Sequence, residues 1–133
     1  MNRLENLILT LEFTEAKSII NSLTEKEIED ELLEVAFNTQ SIVTYSFILN
    51  LIIENETASL HYIASVLLSQ PLCHIDGAYQ SAFFHAKKAI ELDEDNIGLY
   101  EYILFFNIIP GKLLTDQEAT VIENKINELK RLK

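Results

Sequence analysis

The residues best suited to chemistry stand together in one short stretch, Cys73-His74-Ile75-Asp76, between Pro71 and Gly77. A thiol nucleophile, an imidazole base and a carboxylate to orient it are the parts of a cysteine-dependent transfer site. Neighbouring residues point apart, however, and cannot meet in the geometry that proton transfer needs. Adding His85 gives four groups able to ligate a metal, but their spacing matches no recurring zinc pattern. The turn is therefore expected to be structural, with Cys73 packed as a small apolar group and His74 capping or solvated. Other signatures are missing. Gly77, Gly98 and Gly111 stand too far apart for a phosphate-cradling loop, and His-Glu-x-x-His, paired Cys-x-x-Cys and Gly-x-Ser-x-Gly do not occur. The sequence predicts no catalytic residues, no cofactor and no metal site.

Binding is the remaining chemistry. His61, Ser65 and Ser69 recur every four residues on an otherwise apolar segment, so they share one helical face. Such a line is either the solvated side of the helix or a side that meets a ligand. Tyr45, Tyr62, Tyr79, Tyr100 and Tyr102 fit core positions with one wet end better than an aromatic platform. His85, between Phe84 and Ala86, reads as a partly buried structural histidine.

The elements that position these groups are all helical in pattern. Leu4, Leu7, Ile8 and Leu11 follow the spacing of an amphipathic helix. A short helix over 15–23 turns Ala16, Ile20 and Leu23 to one side. Thr24 and Glu27 form a capping box, opening a helix with Ile28, Leu32, Val35 and Ala36 inward. Its other face carries Glu25, Glu27, Glu29, Asp30, Glu31 and Glu34 against Lys26 alone. Segments 41–54 and 97–109 are apolar on nearly every side and read as central helices surrounded by neighbours. Thr57 caps a helix that runs to Gln70 and ends at Pro71, and Gly77 opens the next, which stops near Asp93. Thr115 and Glu118 form a second capping box, and Ala119, Ile122, Ile126 and Leu129 then make a single apolar stripe. That is the pattern of a helix closing the end of a stacked array. Seven or eight helices result, in an all-α fold of one domain over 1–133.

Bulk properties narrow the partners. The chain has 133 residues and a formal charge of −11, from 21 acidic and 10 basic residues. A phosphate backbone needs a basic stripe, so nucleic acid is disfavoured; an acidic surface serves solubility or a basic partner. The apolar runs fall short of the ~20 residues that cross a bilayer, so no membrane contact is expected. One cysteine allows no internal disulfide, and no apolar signal region opens the chain. A cytoplasmic, reducing location is the expectation.

Residues 57–96 also carry a motif. Leu60, Ile63, Ala64 and Leu67 occupy the large, large, small and large positions of a first helix, and Ala82, Ala86 and Ala89 the packing positions of a second. Small side chains at that spacing let two helices approach closely. This unit resembles a tetratricopeptide repeat, although its turn is about six residues longer than the motif and Glu94 stands in place of the usual proline. The resemblance implies an array of antiparallel helix pairs with an inner groove. It places Ala58, His61, Ser65, Leu68 and Ser69 on that groove, followed by Gly98, Glu101, Phe105 and Ile108. The function so implied is an intracellular scaffold that binds a protein or peptide through His61, Ser65, Ser69 and Glu101. The alternative is an acidic immunity or inhibitor protein that neutralises a basic toxin enzyme, such as a nuclease, through Glu27, Glu31 and Glu34.

Overall fold

The computed structural model describes residues 2–132, and all regular structure among them is helical. The order is α1 (Arg3–Leu9), α2 (Phe13–Ile20), α3 (Glu25–Thr39), α4 (Val43–Glu54), α5 (Ala58–Ser69), α6 (Ala78–Leu92), α7 (Ile97–Ile103), α8 (Phe105–Ile108) and α9 (Asp116–Arg131). Among the described residues no helix is long and apolar enough to cross a membrane.

Helix starts follow the chemistry of the chain. Thr24 Oγ1 accepts from the Glu27 amide at 3.1 Å while the Glu27 carboxylate accepts from the Thr24 amide at 2.9 Å. Thr115 and Glu118 repeat the arrangement at α9. Each box satisfies two amides that a helix N-terminus otherwise leaves without partners. Thr57 caps α5 through the Leu60 amide at 3.1 Å. Gly77 opens α6 with a φ of 81°, a left-handed conformation that favours glycine.

Successive helices pack as pairs. The α5–α6 contact is the most extensive in the molecule, and α5 also meets α3 and α4, which places it at the centre. Passing up α5 from His61 to Ser65 means passing down α6 from His85 to Ala82, so the two helices run antiparallel. Ala82, Ala86 and Ala89 are buried, and Ser65 Oγ donates to the Ala82 carbonyl at 2.7 Å. A side-chain hydroxyl reaches the facing backbone because alanine leaves room for it. The main core runs from Leu4 and Ile8 through Phe47, Ile48, Ile63 and Leu67 to Phe106 and Ala119, with a smaller cluster of Tyr100, Ile126 and Leu129 under α9.

Four expectations need correction. Leu11 does not face inward: it lies beyond the end of α1 with a φ of 64° and is 66% exposed. The second helix runs over Phe13–Ile20 rather than 15–23, so Leu23 packs from the following turn. The helix at 41–54 begins at Val43 and is not enclosed, since Ile53 is 84% exposed. Segment 97–109 is two helices, broken at Leu104, with Ile108 78% exposed. In the last two cases an apolar run supplies more greasy surface than its neighbours can cover.

Candidate functional site

The polar line of α5 is not a wet face. His61, Ser65 and Ser69 are 4%, 0% and 6% exposed. The expectation that they look into solvent or an open groove is therefore corrected for His61 and Ser65, whereas Ser69, though buried, borders a cleft. Packing against α3, α4 and α6 covers this face of the helix, so its polar groups must find partners inside the protein.

They do so in two chains of hydrogen bonds. In the first, Glu56 Oε2 lies 2.6 Å from His61 Nε2, His61 Nδ1 lies 2.9 Å from His85 Nδ1, and His85 Nε2 lies 2.8 Å from the Tyr45 hydroxyl. A carboxylate can only accept, so with Glu56 ionised His61 donates from Nε2. In the neutral chain His61 Nδ1 then accepts from His85 Nδ1–H, and His85 Nε2 accepts from the Tyr45 hydroxyl. Burial and the neighbouring His61 push the His85 imidazole down from its ordinary value to about 4. In the second chain, Ser65 spends its one hydrogen on the Ala82 carbonyl, so Tyr102 donates to Ser65 Oγ at 2.7 Å. Ser69 in turn lies 3.1 Å from the Tyr102 oxygen. Burial pushes the Tyr102 phenol up, and the Ser65 and Ser69 hydroxyls partly offset this.

An accessible surface lies where α3, α5 and the start of α7 form a shared face. One cleft of about 320 Å³ is lined by Glu25, Lys26, Glu29, Ala58, Tyr62 and Asp93, with Gly98 at its edge. Lys26 is held by Asp30 at 3.1 Å and Glu29 at 3.8 Å. The hydrogen bond to Asp30 is the first cause of its raised pKa. That cation is answered on its own helix, and Glu25 and Asp93 leave the cleft negative. Burial, and secondarily Glu29, keep the Tyr62 phenol protonated. A second cleft of about 510 Å³ is lined by Ser69, Gln70, Tyr79, Glu101, Tyr102 and Phe105. Between them stands the edge-to-face pair of Tyr62 and Tyr102, with ring centroids 5.1 Å apart.

Protein-family models, curated proteins and solved structures give no match to this chain.

The predicted residues fall out as follows. Ala58 and Gly98 line the first cleft. Ser69, Glu101 and Phe105 line the second, with Glu101 exposed and 3.7 Å from Lys130. His61 and Ser65 lie beneath the face rather than on it. Glu27 and Glu34 are exposed on α3, Glu31 is half-buried, and among the described residues none of the three pairs with a cation. In the α5–α6 turn His74 and Asp76 are exposed and Cys73 is half-exposed, so the expected burial of Cys73 is corrected. His85 is 2% exposed and committed to His61 and Tyr45. Among the described residues no three His, Cys, Asp or Glu side chains gather to hold a metal.

Sequence reasoning missed Tyr62, Glu25, Glu29 and Asp93 as one constellation, because they come from three separate elements. It also missed the partnership of His61 with His85. An antiparallel alignment of α5 on α6 by their small residues sets those two imidazoles opposite each other, and that signal was present.

Proposed function

We propose that this protein is an interaction scaffold that takes a basic, extended segment of a partner protein on the face formed by α3, α5 and α7. The single observation that carries the reading is the first cleft, where Glu25, Glu29 and Asp93 surround Tyr62 and the one ammonium is answered by α3 itself. Carboxylates around an aromatic ring suit a lysine or arginine side chain, through charge and through attraction to the ring face. The resemblance of residues 57–96 to a tetratricopeptide repeat supports the same face, since Ala58 and Gly98 occupy groove positions of that motif. The absence of a catalytic constellation in the sequence agrees with a binding role.

The test is titration of a fluorescent Lys/Arg-rich extended peptide, beside an acidic peptide of equal length. Glu25→Gln with Asp93→Asn, and separately Tyr62→Ala, should each weaken the basic peptide about tenfold or more, the scale of one lost charge-assisted contact. The acidic peptide should not bind. Unchanged affinity in both variants would remove this reading.

A second reading, the neutraliser of a basic enzyme, draws on Glu31 and Glu34, which with Glu27 stand on α3 without cationic partners among the described residues. It predicts that Glu27→Gln, Glu31→Gln and Glu34→Gln together slow association with a basic enzyme and flatten its salt dependence.

A further inference from the structure

The chain of Glu56, His61, His85 and Tyr45 ties together α4, the α4–α5 turn, α5 and α6. Its central link is unusual in what it tolerates. Two Nδ1 atoms 2.9 Å apart hold one bridging hydrogen; if both carried hydrogen, two donors would face each other with no acceptor between them. Both rings are buried, so water cannot supply the missing acceptor. From the geometry we infer that this histidine pair is an acid-operated latch: it clamps α4, α5 and α6 together at neutral pH and releases them when the second proton arrives.

The groups around the pair agree. α4 contributes the Tyr45 hydroxyl, the α4–α5 turn contributes Glu56, and α5 contributes His61 itself. On α6, Lys88 lies one turn beyond His85 and is paired with Glu91 at 3.4 Å. Among the described residues no other ionisable group bonds to either imidazole. Glu56 can therefore answer one positive charge on the pair, and nothing answers two. One added proton is also compatible with the hydrogen bonds, because Tyr45 can turn from donor to acceptor.

The sign follows from linkage. In the unfolded chain both imidazoles take up protons below about pH 6.5. In the folded chain the Nδ1–Nδ1 contact has room for one added proton at most, and burial with the neighbouring His61 holds His85 down to about 4. Unfolding, or opening of α5 from α6, thus takes up at least one proton between about pH 6.5 and 4. The closed-to-open ratio falls at least about tenfold per pH unit in that window. Asp116 and Glu118 are held below their ordinary values, chiefly by hydrogen bonds from Asn107 and from the Thr115 amide. They lose their contribution only at and below about pH 4. The latch concerns the helix array and stands whether or not the outer face binds a partner.

The experiment has three readouts on the whole protein. Long-range proton–nitrogen NMR of the wild type at about pH 7 should show hydrogen on His85 Nδ1 and His61 Nε2. Denaturant unfolding at a series of pH values should show the tenfold-per-unit loss in wild type and in His74→Gln, and its disappearance in His85→Gln. Hydrogen exchange should then show α5 and α6 amides opening at about pH 5 in wild type, after correction for intrinsic rates. The proposal is overturned if His85 takes up its proton near pH 6.5 in the folded protein, or if His85→Gln keeps the wild-type slope. Should His85→Gln fail to fold, the wild-type NMR titration decides alone.

Discussion

At the scale of single residues, the notable economy is that each buried hydroxyl and imidazole of α5 is matched to a partner distant in sequence. Ser65 answers Ala82 and Tyr102, and His61 answers His85 and Glu56. Tyr102 is the joint of its chain, donating to Ser65 and lying within reach of Ser69. Tyr102→Phe keeps the ring against Tyr62 and Phe106 but removes the hydroxyl, so Ser65 loses its donor and Ser69 keeps only the Val66 carbonyl at 3.4 Å. A loss of about 0.5–1.5 kcal/mol is expected in denaturant unfolding, the net worth of a buried hydrogen bond. An unchanged midpoint would mean that the hydroxyls are satisfied elsewhere. These pairings explain the main misreading of the sequence. His61, Ser65 and Ser69 do share a face, as their spacing says, but spacing reports only that a face exists. What lies against it depends on how many neighbours the helix has, and the partners of α5 stand 24, 17 and 37 residues away.

At the scale of elements, the legible features were those set by local chemistry. Both capping boxes, the Thr57 cap and the stripe of α9 follow from side chains within one or two turns. The alanine spacing of α6 was legible for the same reason, and it carries the strongest stability prediction. Ala82 is fully buried with its carbonyl held by Ser65, so Ala82→Glu forces both volume and charge into a closed helix contact. A loss on the order of 3 kcal/mol or more is expected, whereas Glu91→Ala at the exposed end of the same helix should be near neutral. Equal melting temperatures for wild type and Ala82→Glu would contradict the packing described. Less legible were the ends and breaks of apolar helices. The interruption at Leu104 has no proline or glycine to announce it, and the exposure of Ile53 is decided by which helices stop short of it.

At the scale of the whole molecule, charge is the governing quantity. With a formal charge of −11 and ion pairs that are few and mostly exposed, the folded chain repels itself. Raising salt from about 0.01 M to about 0.15 M shortens the screening length from about 30 Å to about 8 Å. The melting temperature should rise over that range. A fall would mean that the exposed pairs, such as Lys112 with Asp116, outweigh the general repulsion. The same salt step should weaken the proposed basic partner, so stability and binding are expected to move in opposite directions.

The tyrosine pair that separates the two clefts has one more consequence. Ala58 marks one cleft and Ser69 the other, at opposite ends of a single rigid helix. At a rise of 1.5 Å per residue the two sites stand about 16 Å apart. An extended chain covers that distance in about five residues. Under the proposed function the face acts as a ruler. A segment with anchoring side chains at that interval engages both ends as one ligand, the second contact made at high local concentration. A segment with its anchors closer together meets only one end and forfeits that gain.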